Sequence, residues 1–215
     1  MLLACGCSAA LAADGTSESV EADRLLGYLY FITQDYEEGI RWFRQAAEQG
    51  DAEAEDNLGL AYCLGLGVTR DDAEAIRWIR KAAEQGWAQA QYDLGVLYRE
   101  GHGVPQDDVQ AIRWWRKAAA QGLAHAEFNL GTAYVNGYGI RKAAAEAVRW
   151  YRRAADKGVP EAQFNLGNAY YYGQGVSRDE GKALRWWRKA AAQGMAEAQR
   201  NLSIAYAEDR GALSE

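Results

Sequence analysis

The sequence predicts an all-α solenoid built from 36-residue helix-turn-helix repeats, and three observations predict it. Glycines recur at a spacing of 36 residues, tryptophans recur at the same spacing, and each interval contains two stretches of helical apolar periodicity. The glycines are Gly50, Gly86, Gly122, Gly158 and Gly194, and the tryptophans are Trp42, Trp78, Trp114, Trp150 and Trp186. Because each repeat buries its apolar face only against its neighbours, we expect one continuous array rather than separate globular domains.

The composition fits such an array and argues against general nucleic-acid binding. Of the 215 residues, 49% are apolar, including 8 Trp and 13 Tyr, which suffices for a continuous core. The net charge of -6 and the pI near 5.1 oppose binding to phosphate backbones, which needs a positive field. No run of apolar residues is long enough to predict a transmembrane helix.

The first residues resemble an export signal. The segment 1–12 is small, apolar and uncharged, and Ala10-Leu11-Ala12 resembles a signal peptidase site. Leu2-Leu3-Ala4-Cys5 also resembles a lipobox, which would attach a lipid at Cys5, although no Lys or Arg precedes the apolar run. One alternative is therefore a periplasmic or secreted protein, either soluble or a lipoprotein, and the other is a cytoplasmic protein with a disordered tail. We predict a leader and linker over residues 1–19, with the linker at Asp14–Ser19.

The solenoid is predicted over residues 20–208. It comprises an irregular first unit at 20–50, full units at 51–86, 87–122, 123–158 and 159–194, and a capping helix at 195–208 before a frayed tail at 209–215. In the first unit Thr33-Gln34-Asp35 replaces the G-x-G loop with a shorter turn.

The unit 51–86 illustrates how each repeat is predicted to fold. Helix A runs from about Ala52 to Leu64 and ends at Gly65-Leu66-Gly67, because glycine tolerates the left-handed conformation. Asp71 is the expected N-cap of helix B, and Glu74 would complete a capping box. Ala75, Trp78, Ile79, Ala82 and Ala83 are predicted to face the core. The tryptophan series is accordingly interpreted as core rather than as an aromatic binding stripe.

The pattern A-x-x-x-L-G-x-x-Y-x-x-G-x-G-V followed by D-x-x-x-A-x-x-W-x-x-x-A-A-x-x-G resembles the Sel-one-like repeat, a relative of the tetratricopeptide repeat. The resemblance covers residues 20–208 and implies a right-handed superhelix of antiparallel helix pairs. It also implies an adaptor that holds other proteins or peptides, in many cases exported from bacteria. The unit 123–158 departs from the pattern, since Ala143 replaces the capping Asp and Ile140 replaces Val.

No catalytic or metal-binding motif accompanies the repeats. His102 and His125 lack a Cys or second His at metal-ligand spacing, and nucleotide, protease and esterase motifs are absent. We therefore expect no enzyme, no cofactor and no metal. A penicillin-binding or β-lactamase activity, as in a cysteine-rich branch of the family, is an alternative, but the paired cysteines that define that branch are missing. A structural subunit of an envelope assembly is a second alternative.

The candidate ligand-binding residues lie on helix A. The position before each Leu-Gly holds an amide or acid, and in tetratricopeptide domains the matching position lines a concave groove where amides bind an extended backbone. The alternative, weighed equally, is that each of these side chains ties down a neighbouring helix. These residues are Asn57, Asp93, Asn129, Asn165 and Asn201. Positions further along the same helices vary between units, as ligand-reading positions do, and add Arg99, Asn136, Asn168, Tyr171 and Tyr172.

Helix B carries a basic stripe with three cations per unit. It begins with Arg77, Arg80 and Lys81 and recurs in each later unit. We favour a solvated outer face, paired with Glu48, Glu84 and other acids, over a surface for an anionic partner.

Overall fold

The computed structural model describes residues 11–212, with side chains over residues 18–207. All secondary structure within this range is α-helical, in eleven helices, which confirms the predicted fold class. The helices are α1 (Leu11–Ile32), α2 (Tyr36–Glu48), α3 (Ala52–Leu64), α4 (Asp72–Glu84), α5 (Ala88–Glu100), α6 (Asp108–Ala120), α7 (Ala124–Asn136), α8 (Ala144–Asp156), α9 (Pro160–Tyr172), α10 (Glu180–Ala192) and α11 (Ala196–Ala212). The predicted lipidation site Cys5 and the rest of residues 1–10 lie outside the described residues.

The contacts divide the chain into two compact units, where the sequence predicted one continuous array. Unit 1 contains residues up to 97 together with 101–105, and unit 2 contains 98–100 together with 106 onward. In unit 1, α2 packs on α1 and α3, and α4 packs on α3. In unit 2, each helix from α6 to α11 packs on the next one along the chain.

The termini of the array differ from the prediction. The backbone is helical from Leu11, so that Asp14–Ser19, predicted to be a linker, lies within α1. No proline interrupts this segment, and a helix nucleated by the packed residues after Val20 extends at little cost. Similarly, α11 continues to Ala212, beyond the predicted end at residue 208.

The second and third helix pairs begin and end where the repeat pattern indicates. The helix α3 has the predicted bounds, and Gly65 closes it with a φ of 69°. Asp71 caps α4 by accepting the N–H groups of Ala73 and Glu74 at 3.0 Å each. The predicted capping box does not form, because the Glu74 carboxylate instead accepts from Arg77 one turn further along the helix.

The position that faces the core in each helix B is the residue after the tryptophan, and not the tryptophan itself. Trp78 is buried, but Trp42, Trp114, Trp150 and Trp186 are only half-buried. In each helix B the large side chain directly after the tryptophan is buried, and these side chains are Phe43, Ile79, Trp115, Tyr151 and Trp187. The interpretation of the whole series as core was therefore wrong for four of its five members.

Close helix packing explains this displacement. Within unit 2 a Cβ added to Gly131 would lie 2.6 Å from Cδ1 of Tyr151, so the glycine makes room for the tyrosine ring. Gly167 stands in the same relation to Trp187. The preceding tryptophans instead lie under cations, with the Lys117 ammonium 3.8 Å from the centroid of Trp114.

Candidate functional site

The predicted row of amides lies on helix A at half-buried positions, and most of its members bind neighbouring helices. In unit 1, the Asn57 amide donates to the hydroxyl of Tyr28 on α1 at 2.7 Å and to the carbonyl of Glu53 at 2.8 Å. Asp93 accepts from the Gln89 amide one turn earlier on α5 at 3.1 Å. The contact with Tyr28 favours the interpretation of Asn57 as a tie between helices, whereas the hydrogen bond of Asp93 lies within α5 itself.

Unit 1 also contains a buried acidic pair that sequence reasoning missed. Asp56 is 3% exposed, and the pKa of its carboxyl is raised to about 8. Burial is the largest cause of this increase, and the charge of the nearby Asp93 carboxylate is the second. The Asp56 carboxylate also accepts from the side chain of Trp87, which by itself lowers the pKa. Burial likewise raises the pKa of Asp93 to about 6. One signal in the sequence identifies the site, since Asp56 occupies the position that Tyr92, Phe128 and Phe164 hold in later repeats.

In unit 2 the amides of α9 bind aromatic side chains of helix B. The side chain of Asn165 forms a hydrogen bond with the Tyr151 hydroxyl, and this hydroxyl also lies 3.3 Å from Oγ1 of Thr132. The Oδ1 of Asn168 accepts from the Trp187 indole at 3.1 Å and from the Asn201 amide at 3.2 Å. Because each of these amides holds an aromatic ring or another amide, this part of the row orders the surface between adjacent repeats.

Of the remaining predicted residues of unit 2, Arg99 and Asn136 lie at the ends of helices and Asn129 lies in the middle of α7. Arg99 lies 3.5 Å from the Asp108 carboxylate and 4.1 Å from the centroid of Tyr138. Asn129 is half-buried on α7 and makes no hydrogen bond to another described side chain. Asn136 is exposed, and its amide donates to the carbonyl of Thr132 at 3.0 Å.

The two extra tyrosines of α9 differ in their surroundings. Tyr171 packs at 5.1 Å from Trp187 and makes an edge contact with Tyr172 at the same distance. Tyr172 is 64% exposed. Tyr172 is therefore available to a partner, whereas Tyr171 belongs partly to the core between α9 and α10.

A cavity of about 520 Å³ opens between α7, α8 and α9 within unit 2, and we call it the α7–α9 cavity. Tyr134 and Val135 line it from α7, and Val148 and Tyr151 line it from α8. Asn165 and Asn168 line it from α9, so the cavity brings together two of the predicted groove residues. Its mixture of apolar walls and a few amide groups is typical of a ligand-binding cavity.

The basic stripe of helix B is engaged within the fold. Two of its first members pair with an acid three residues earlier, Arg77 with Glu74 at 2.7 Å and Arg149 with Glu146 at 2.8 Å. In unit 2 its middle members donate to the tyrosine hydroxyl of the next repeat, as Arg188 does to Tyr206 at 2.6 Å. The acids predicted to pair with the stripe, Glu48 and Glu84, are not the partners found.

The last cation of the stripe binds a buried acid. Glu127 is fully buried and lies 2.8 Å from both Arg153 and Lys157 of α8. In unit 1, Lys81 pairs with the equally buried Glu55 at 2.7 Å. These pairs were not predicted, because the acid and its partners are 26 to 30 residues apart and meet only when the repeat folds. The stripe is therefore largely part of the framework.

The described residues contain no group of three or more His, Cys, Asp or Glu side chains placed to hold a metal ion. In the same part of the chain, no helix combines the length and apolarity needed to cross a membrane.

Comparisons with known proteins agree with this architecture. The Sel1 repeat model matches five times, at residues 20–51, 52–87, 88–123, 124–159 and 160–195. No match is found among curated proteins. Proteins built from this repeat generally serve as scaffolds for protein interactions, and the fold is typically non-catalytic.

Two solved structures are similar in both sequence and fold. The protective antigen c5321 of uropathogenic Escherichia coli is 36% identical with a TM-score of 0.83, and the match covers 87% of this chain. It covers only 41% of the antigen, so the chain spans less than half of that relative. A Sel1 repeat protein of Oxalobacter formigenes is also 36% identical with a TM-score of 0.81, and the match covers 91% of this chain and 80% of that one.

A more distant structure supports the fold alone. Cysteine-rich protein B of Helicobacter pylori is 22% identical with a TM-score of 0.50, and the match covers 62% of this chain and 96% of that one. The family model matches most of the chain. The chain is therefore a member of the Sel1 repeat family.

Proposed function

We propose that this protein is a non-enzymatic adaptor that binds a segment of another protein in the α7–α9 cavity of unit 2. The observation that supports the proposal is the cavity itself, about 520 Å³ in volume and lined by amides that can pair with a peptide backbone. An amide side chain can donate and accept at once, so Asn165 can pair with an N–H and a C=O group of an extended chain. Asn168, whose Oδ1 already accepts from Trp187 and Asn201, can donate its N–H groups to a backbone carbonyl.

The exposed aromatic residue beside the predicted groove residues supports the same function. Tyr172 exposes 64% of its surface at the end of α9. Tyrosines are frequent anchors in protein interfaces, because a large ring is buried at a small entropic cost. The acidic net charge of -6 adds no reason to expect nucleic acid as the partner.

Photo-crosslinking identifies the partner and its site together. A crosslinking amino acid at Gln174, which lines the cavity and is exposed, is expected to capture a partner. The same amino acid at Arg113, exposed on α6 and outside the cavity lining, serves as the matched control. Equal capture from both positions, or capture from Arg113 alone, would contradict a binding site in the cavity.

Calorimetry with the captured partner then tests the groove residues. At about 0.5–1.5 kcal/mol per hydrogen bond, replacing both cavity amides, Asn165→Ala with Asn168→Ala, is expected to weaken binding about tenfold or more. Tyr172→Ala is expected to weaken binding through loss of an exposed aromatic anchor. If the double variant binds normally and loses several kcal/mol of stability, the asparagines act only as ties between helices.

A further inference from the structure

The helix α1 exposes a line of apolar side chains along one of its sides. Leu25, Leu29 and Ile32 are 56%, 53% and 79% exposed, and Ala22, one turn earlier, is exposed as well. The four residues are spaced by three, four and three positions, so they follow one another along the same side of the helix. We call them the α1 seam.

The side of α1 that packs on α2 faces away from the seam. Gly27 lies against the ring of Phe43, where an added Cβ would lie 2.5 Å from Cδ1. Phe31 packs on the same ring with the two centroids 5.1 Å apart, and Asp23, one turn before Gly27, is buried. At about 3.6 residues per turn, Gly27 is roughly half a turn away from the centre of the seam. The packing of α1 on α2 therefore leaves the seam uncovered.

The seam continues the interface by which one repeat packs on the repeat before it. When the Leu-Gly pair of α1 is aligned with that of α3, Ala22 and Leu29 take the positions of Ala54 and Ala61. These two alanines are 0% and 1% exposed and belong to the core that α3 forms with α2. Among the described helices none precedes α1, so the same face of α1 is apolar but has no repeat packed on it.

The spacing of the seam indicates what covers it. Apolar residues that alternate three and four positions apart occupy the a and d positions of a heptad, and such a seam interdigitates with another seam of the same kind. A second copy of the chain supplies that seam. Two heptads are too few to hold separate peptides together, but α1 is already ordered by its packing on α2, so the pairing requires no helix to fold.

The charges along α1 favour an antiparallel pair. Glu18 and Glu21 are exposed where the seam begins, whereas Thr33 and Gln34, which follow its last residue, are uncharged. Arg24, the only cation in the sequence of α1, already pairs with α3. In a parallel pair the two acidic ends would lie side by side and repel each other. In an antiparallel pair each acidic end lies beside an uncharged end.

We propose that α1 is a dimerisation helix, which pairs in antiparallel orientation with α1 of a second copy of this chain. Leu25 of each copy packs beside Leu29 of the other, and Ala22 of each copy lies beside Ile32 of the other, as twofold symmetry requires. The inference goes beyond the proposed function and does not depend on it, since the α7–α9 cavity lies in unit 2.

Sedimentation equilibrium of the full chain tests the pairing. The average mass is expected to rise from one chain towards two between about 2 and 200 µM, with a dissociation constant on the order of 10–100 µM, because so short a seam makes a small interface. Leu29→Lys is expected to raise the dissociation constant at least about tenfold, since each dimer loses two apolar contacts and gains two charges. Its circular dichroism spectrum and melting temperature are expected to stay unchanged, because Leu29 is exposed in the single chain.

Val109→Lys is the matched control. Val109 is 55% exposed on α6, outside the seam, so the same change there is expected to leave the dissociation constant as it is. Leu25→Glu alone is expected to weaken the dimer as Leu29→Lys does. The two changes in one chain are expected to restore much of the association, since each Glu then faces a Lys of the other copy only when the helices are antiparallel.

Three results would overturn the inference. The first is a natural chain that stays at the mass of one copy at the highest concentration. The second is equal association of the natural chain and Leu29→Lys, which would place the contact elsewhere, as in the uncharged segment 1–12 that all variants share. The third is a Leu25→Glu and Leu29→Lys double variant that associates no better than the single ones, which would exclude antiparallel pairing.

Discussion

Replacing Asp56 by Asn is expected to remove a large part of the pH dependence of the stability of unit 1. The pKa of Asp56 is raised from 3.8 to about 8 in the folded protein, mainly by burial. As the pH rises through 4, the unfolded chain loses this proton while the folded chain retains it. Protonated Asp56 therefore contributes fully to the free energy of unfolding below pH 4, and this contribution is lost as the pH rises towards 8.

The magnitude follows from the size of the shift. Each unit of pKa corresponds to about 1.4 kcal/mol, so a shift of this size is about 5 kcal/mol between pH 4 and pH 8. Asn cannot ionise, and its carbonyl can still accept from Trp87. Its amide adds buried donors where Oδ1 of Asp56 has no partner, which is expected to cost about 1–3 kcal/mol at every pH. The slope against pH, and not the stability at one pH, is therefore the diagnostic quantity.

Urea unfolding followed by tryptophan fluorescence at pH 4.5, 6 and 7.5 measures this slope. The stability of Asp56→Asn relative to the natural chain is expected to increase with pH, by several kcal/mol across the range. Asp93→Asn serves as the comparison, with a smaller effect of the same sign, because the pKa of Asp93 is raised only to about 6. A difference between Asp56→Asn and the natural chain that stays constant with pH would refute the reasoning.

Four further variants test the packing of unit 2 by thermal or urea denaturation. Trp187→Ala removes a side chain that is 2% exposed and is expected to cost about 3–5 kcal/mol. Trp186→Ala, half-buried beside it, is expected to cost less than half as much, and equal losses would contradict the displaced core. Ala143→Asp is expected to stabilise the protein by about 0.5–2 kcal/mol, and destabilisation would show that α8 does not begin there. Replacing both Arg153 and Lys157 by Met leaves the fully buried Glu127 carboxylate without its partners and is expected to cost about 3–5 kcal/mol, so an unchanged melting temperature would contradict the pairing.

Most of the fold could be predicted from the 36-residue period, because the glycine that closes a helix recurs once per repeat. The helix α3 begins at Ala52 and ends at Leu64 as predicted, since Gly65 stops it and Asp51 precedes it. The bounds of α1 and α11 were missed because these helices have a repeat on only one side, and no periodic signal marks where α1 begins or α11 ends.

The position of the core within helix B was predictable only to within one residue. Trp186 and Trp187 are adjacent, so they lie about 100° apart around the helix, and both fall near the same apolar face. What separates them is the close approach of Gly167 to Trp187, a contact between two helices. Hydrophobic periodicity does not contain this information.

The residue types of the candidate site could be predicted from the sequence, but the residues that they contact could not. The missing cap at Ala143 is visible in the sequence, but the cavity beside it depends on how α7 and α9 flank α8. The pairing of Asp56 with Asp93 likewise joins residues 37 positions apart in adjacent repeats. Such contacts between repeats require the geometry of the fold.

The bond from the middle arginine of one repeat to the tyrosine of the next has a consequence for how such arrays change in length. In unit 2, Arg152 donates to Tyr170 and Arg188 donates to Tyr206, in each case 18 residues further along the chain. Every full repeat thus carries an acceptor on its first helix and a donor on its second. If a block of 36 residues were duplicated between two repeats, its tyrosine would accept from the arginine of the repeat before it. Its own arginine would donate to the tyrosine of the repeat after it. The array can therefore gain or lose whole repeats without leaving an arginine or a tyrosine unmatched at the junction.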